Sequence, residues 1–343
     1  MEREAIFYNA TNIALQSQYK ELKKLKDTYG SWEKAWATVS QTTDPKIDPE
    51  KNAAALETAG VELILFDEDR YPALLTETSL PPLGLYIKGT LPPLEYPVGI
   101  VGTRKATTEG KELAREFGKV LAEAGCVVIS GLALGVDAAG HRGALEGHGI
   151  TVAVLANGLD HIYPATNARL AEDILKDGGA LISEYPLGSP SLPYRFLERN
   201  RIISGLSRGI LIIEAPARSG TIATARFALE ENRDVFVLPG PARHPNFAGS
   251  HELLKQGASL VTVPEDILQA FGLETKKRME NADISPEETA ILDILRQSTT
   301  PLAIDKIIEL SHLQAPMANQ LVSFLITKGL IEETEFGYTT IQS

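Results

Sequence analysis

Arg199, Asn200 and Arg201 place two forked guanidinium donors and an amide at consecutive positions. After them an apolar run, Ile210-Leu-Ile-Ile213, delivers the small-residue turn Ser219-Gly220-Thr221 to the start of a helix. A helix N-terminus beside a glycine offers free backbone N–H groups and a partial positive charge, which suits an anion. Guanidinium groups bind phosphate oxygens in pairs. The chemistry suggested is phosphate binding, and the rest of the chain must supply a frame that unites the two stretches.

That frame becomes regular from Pro97. Strands are expected at 98–101, 126–129, 151–155, 180–183, 210–213, 234–238 and near 259–263. Helices are expected at 109–124, 136–146, 167–176, near 197–206 and at 221–231. Apolar strands alternating with helices call for a doubly wound, Rossmann-like parallel sheet covered on both faces. Ligands of such sheets bind at the carboxyl ends of the strands, so the turns that follow the strands are the informative ones.

The first of these turns is Gly102-Thr103-Arg104-Lys105, with Thr107 or Thr108 as N-cap of the next helix. Arg104 and Lys105 stand where an anion would sit. The second turn holds Gly131, Gly135 and Asp137, followed by His141. Gly135 serves either close helix–sheet packing or the approach of a ligand, and Asp137 and His141, four apart on a helix, can pair. No dinucleotide fingerprint or P-loop occurs, so no cofactor is expected. Nothing completes a metal site around His141, and no serine stands in a nucleophile elbow. Cys126, the one cysteine, lies in an apolar strand and reads as a packed residue.

A net charge of −12 over 343 residues excludes a generic basic coat for nucleic acid. The charge is uneven, however. Residues 96–270 hold 17 Lys/Arg against 19 Asp/Glu, whereas 283–343 hold three against nine. A polyanion site must therefore be a local patch in the middle of the chain. No apolar run reaches membrane-span length and the first residues form no signal peptide, so a cytoplasmic protein without a membrane partner is expected.

Residues 1–58 read as a small helical domain in which Leu22, Leu25 and Tyr29 precede a turn at Gly30-Ser31 and a helix holding Trp32 and Trp36. Residues 59–272 read as the sheet domain, with 62–66 and 83–87 as edge strands, and 273–283 as a linker. In 284–343, three amphipathic helices (Ile291, Ile294, Leu295; Ile304, Ile307, Ile308; Leu321, Phe324, Leu325) precede a two-stranded segment, which is a winged-helix pattern. Its third helix offers Gln314, Asn319, Gln320 and Ser323 but only Lys328 as a cation, which favours protein over DNA as its partner.

The motifs Val101-Gly-Thr-Arg104-Lys-Ala-Thr, Ser130-Gly-Leu-Ala-Leu-Gly-Val-Asp137, Ser183-Glu-Tyr-Pro186, Arg199-Asn-Arg-Ile-Ile-Ser-Gly and Glu214-Ala-Pro-Ala-Arg-Ser-Gly-Thr221 follow one another in an order and spacing that resemble the DprA/Smf family of DNA-processing proteins. The resemblance implies a non-enzymatic protein of natural transformation. Such a protein binds incoming single-stranded DNA, forms a homodimer through the Rossmann-like domain and helps load the RecA recombinase. It also implies a sterile-alpha-motif-like N-terminal domain, phosphate contacts from Arg104 and Ser219-Gly220-Thr221, and a pocket that Arg199 and Arg201 line or support. Tyr163 and Tyr185 are candidates for base stacking. Ala168 occupies a place where the family often has a lysine, leaving Arg169 as substitute. A second reading comes from the lysine-decarboxylase-like phosphoribohydrolases, nucleotide-processing enzymes on a similar sheet. Their pattern wants a catalytic Glu where this chain has Thr224.

Overall fold

A computed structural model describes residues 1–273, 285–298, 300–328, 330–334 and 337–340. They belong to two compact units, Met1–Glu274 and Thr275–Ser343. The expected linker 273–283 lies, apart from Leu273, outside the described residues.

The first unit opens with four helices, α1 (Arg3–Ala14), α2 (Tyr19–Tyr29), α3 (Trp32–Val39) and α4 (Pro49–Thr58). Gly30, left-handed at φ 68°, ends α2 at the expected turn. Asp48 caps α4 by accepting from the amides of Glu50 and Lys51. Next come β1 (Val61–Leu65), the short α5 (Ala73–Thr76) and β2 (Gly84–Gly89). Alternation follows: β3 (Pro97–Val101), α6 (Thr108–Glu123), β4 (Val127–Ser130), α7 (Val136–Glu146), β5 (Thr151–Leu155), α8 (Ala168–Lys176), β6 (Ala180–Ser183) and α9 (Pro193–Gly205). The unit finishes with β7 (Gly209–Ile212), α10 (Gly220–Glu230), β8 (Asp234–Val237), α11 (Ala248–Lys255), β9 (Ser259–Leu260) and α12 (Pro264–Ala270).

All nine strands form one sheet in the order β1-β2-β6-β5-β4-β3-β7-β8-β9. From β3 to β9 neighbouring strands are parallel, and β2 pairs antiparallel with both β1 and β6. Successive strand residues face opposite layers, as the period of two requires. Val98, Ile100, Leu211 and Ile213 pack with Phe117 and Leu121 of α6, whereas Val101, Ile210 and Ile212 pack with Ile202 and Ile203 of α9. The last strand is shorter than its apolar run suggests, because Pro264 opens α12 soon after it. The short helices α11 and α12 are not legible in the sequence; each has only two turns in which to display a period.

The N-terminal helices share a core with the sheet. Ala5, Tyr8, Leu22 and Trp32 cluster with Leu63, Leu83, Leu155 and Leu181. The position 58/59 therefore lies inside one compact unit. Polar contacts reinforce this packing. Asn12 Nδ2 donates to Tyr86 Oη and to the Glu184 carbonyl, both at 3.2 Å, and Tyr86 Oη donates to Asn9 Oδ1 at 2.9 Å. Next to this network Arg201 Nη2 meets both carboxylate oxygens of Glu184 at 2.5 Å, Nη1 donates to the Leu80 carbonyl, and the guanidinium lies 5.5 Å from the Tyr19 ring centroid.

In the second unit α13 (Pro286–Gln297), α14 (Ile304–Ser311) and α15 (Ala315–Thr327) precede the antiparallel pair β10 (Ile331–Thr334) and β11 (Gly337–Thr340). Ser285 and Glu288 form a reciprocal capping box at the start of α13. Ile291, Leu295, Ile307, Leu321 and Leu325 are buried as the periodicity predicts, but Phe324 is 48% exposed and Val322 takes the inward position.

Arg201→Ala would leave the Glu184 carboxylate buried and uncompensated. The expected loss is about 3–5 kcal/mol of unfolding free energy, measured as a lowered denaturant midpoint at unchanged slope.

Candidate nucleic-acid interface

Strand order reverses between β3 and β7, and a cleft of about 590 Å³ opens at their carboxyl ends. Gly102, Thr103 and Arg104 enter it from β3, Arg199 and Asn200 from α9, and Ser219, Gly220 and Thr221 from the turn after β7. These eight residues, far apart in the chain, meet in one place.

Among the helices that begin around this cleft, α6, α7 and α10 differ at their N-termini. At α6 the Thr107 hydroxyl accepts from the Gly110 amide at 2.9 Å. At α7 the Val136 amide points at the Thr103 carbonyl, 3.4 Å away, and Asp137 Oδ2 accepts from the preceding loop amides of Gly131 and Ala133 at 3.2 and 3.4 Å. At α10 the residue in the capping position, Ser219, makes no capping bond, and its buried hydroxyl has no partner. Asn200 Nδ2 instead steadies the turn by donating to the Gly220 carbonyl at 3.2 Å. The first turn of α10 thus presents its amides to the cleft, the arrangement that attracts an oxyanion.

Arg104 is exposed, with its guanidinium 4.7 Å from the centroid of the Phe196 ring; Phe196 in turn lies 5.5 Å from Tyr163. Arg199 forms the floor. It is buried, donates through Nη1 to the Val154 carbonyl, and lies over Gly131, where a Cβ would collide with the guanidinium. Burial pulls its pKa down to about 10, with the attraction of Asp137 opposing the fall and Arg104 adding to it, so the group remains a cation at neutral pH. Gly135, at φ 83°, lets α7 start against the Thr103 and Arg104 carbonyls.

Several sequence expectations change here. Arg201, on the opposite side of α9, is occupied by Glu184 and does not line the cleft; alternate residues of a helix point apart. Arg169 lies in a different surface depression with Arg142, Lys176 and Asp173. Lys105 is exposed beside the cleft rather than within its lining. Asp137 faces the cleft but is an acceptor engaged by loop amides, so it shapes the Gly131 loop and has no donor for phosphate. Asp137 and His141 do not pair: His141 Nδ1 meets Thr151 Oγ1 at 2.7 Å. Tyr185 is buried and donates its hydroxyl to Glu198, which leaves Tyr163, 44% exposed, as the accessible one of the two candidates.

Phe196 and Arg218 also line the cleft and were missed by sequence reasoning. Phe196 precedes Arg199 and Asn200 by three and four positions, a helical spacing that puts all three on one face and could have revealed it. Among the described residues no three His, Cys, Asp or Glu side chains are grouped to hold a metal ion. No described helix is long and apolar enough to cross a membrane.

A family model described as DNA recombination-mediator protein A matches residues 62–272, which span the sheet and every residue of the cleft. The chain belongs to this family. Protein Smf of Escherichia coli is 45% identical over 248 residues, 71% of this chain and 66% of that protein's length. The X-ray structure of DprA from Streptococcus pneumoniae superposes with a TM-score of 0.60 at 33% identity, covering 78% of this chain and 94% of that one. DprA from Helicobacter pylori, whose structure addresses its single-stranded DNA binding mode, gives a TM-score of 0.56 at 30% identity over 61% of this chain and 94% of its own. The family match ends before the second unit begins.

Burial pushes the pKa of His141 down to about 3, with Arg199 and Arg142 adding to the fall. The folded protein therefore keeps the ring neutral, while the unfolded chain takes up a proton as pH drops below about 6.5. Stability contributed by this group is complete above that pH and declines toward about 3. Between pH 7 and pH 5 the wild type should lose about 2 kcal/mol more than His141→Gln, measured by urea unfolding at both pH values.

Proposed function

We propose that the cleft grips phosphates of single-stranded DNA and that the protein is a DNA-binding mediator, not an enzyme. The observation that carries this reading is the uncapped N-terminus of α10, facing Arg104 and the buried Arg199 across one cleft. Gly102, Thr103, Gly220 and Thr221 let the backbone come close to the strand, with Lys105 beside them and Gly131, Gly135 and Asp137 holding the loops. Phe196 and Tyr163 offer faces on which unpaired bases stack, which a duplex would not present. The carboxylates nearest the cleft support a binding role, since Asp137 is engaged by amides and the phosphoribohydrolase position holds Thr224, bonded to the Gly220 carbonyl.

With its relatives of DNA processing, the chain is assigned to natural transformation in the cytoplasm, where it forms a homodimer through the Rossmann-like domain and helps load RecA onto the strand. Residues 1–58 act as the sterile-alpha-motif-like part. The second unit acts as a winged helix with a protein partner, a role supported by its three helices, its hairpin and its excess of acids over bases.

A salt-titrated binding assay tests this reading with a labelled single strand, the matching duplex, the wild type and Arg104→Ala. The single strand should bind more tightly. The substitution should weaken it about tenfold and flatten the logarithmic salt slope by about 0.7, the share of one phosphate contact. Equal affinity for both DNA forms, or no effect of the substitution, would refute it.

A further inference from the structure

Glu214, at the start of the turn after β7, is fully buried. A carboxylate close to an anion site opposes the anion, so its presence calls for a compensating structural role. Its hydrogen bonds supply one. The Thr107 amide donates to both carboxylate oxygens at 3.3 and 3.2 Å, the Thr107 hydroxyl donates to Oε1, and Asn246 Nδ2 donates to Oε2 at 2.6 Å. The Glu214 carbonyl accepts from the Thr103 amide at 2.9 Å, and Asn246 Nδ2 also reaches the Lys105 carbonyl at 3.1 Å. Both ends of the segment 103–107 are thereby fastened, and that segment carries Arg104. At Gly110 a Cβ would collide with the Glu214 carboxylate, so α6 approaches too closely for any side chain there.

We propose that Glu214, assisted by Asn246, is a positioning residue that presets the Arg104 turn for phosphate. The segment is ordered when the chain folds, which lowers the ordering cost at the moment of binding. This inference rests on the reading of the cleft as a single-stranded DNA site.

Glu214→Gln keeps the shape but turns one acceptor into a donor among donors. Two measurements test it: backbone hydrogen exchange of residues 103–107 in the unliganded protein, and single-strand affinity in double-mutant cycles with Arg104→Ala and Arg218→Ala. Exchange at Thr107, whose amide bonds the carboxylate, should accelerate, while Thr103, held by the backbone carbonyl of Glu214, and the β3 and β7 amides stay protected. Affinity should fall about tenfold; in the Gln background Arg104→Ala should cost little more, while Arg218→Ala costs the same in both backgrounds. Unchanged exchange, or an equal loss from Arg104→Ala in both backgrounds, would overturn the proposal. Asn246→Ala, at a half-buried position, repeats both measurements if the Gln variant does not fold. If the wild type binds no single strand, the DNA reading falls, and the exchange data alone decide whether Glu214 holds the turn.

Discussion

The buried pair of Arg201 and Glu184 ties α9 to the segment after β6, and α9 carries one wall and the floor of the cleft. A buried ion pair adds little net stability compared with apolar groups of similar size, because both charges lose water. Its effect here is geometric. With Arg201 fixed on one side of the helix, Phe196, Arg199 and Asn200 face the other way into the crevice. An aromatic ring, a guanidinium and an amide are thus oriented by an interaction outside the site they serve.

The same economy of charge explains how an acidic protein can attract a polyanion. Arg199 is surrounded by protein and poorly screened by water, whereas Arg104 is exposed and lies against an aromatic ring. Attraction concentrated at two cations and one helix terminus is strong at short range and does not depend on the net charge of the surface. The acids near the crevice are engaged by amides and hydroxyls of the loops, which limits their repulsion.

Much of this was legible in the chain. The alternation from Pro97 onward fixes a parallel sheet, and the turns after its strands mark the rim, because apolar runs and glycines report directly on burial and on tight backbone. The site was legible by residue type but not by direction. Arg199 and Arg201 look equivalent in sequence and face opposite sides of one helix. Tyr163 and Tyr185 look equally available, yet only the first reaches solvent. Glu214 opens the motif that ends at Thr221 but shows no role in sequence, since its partners Thr107 and Asn246 are distant in the chain and nothing local announces them.

The shared core of the N-terminal helices and the sheet bears on how the protein can be dissected. Tyr8 packs so closely on Gly84 that no side chain could stand there, and Asn12 reaches the Tyr86 hydroxyl and the Glu184 carbonyl. A fragment beginning at residue 59 would bare Leu63, Leu83 and Leu181 to water and strip Tyr86 of its partners. Such a piece would tend to aggregate, and its failures would say nothing about the crevice. A cut near residue 274 severs no such packing within the first unit and yields the fragment suited to crystallisation and titration.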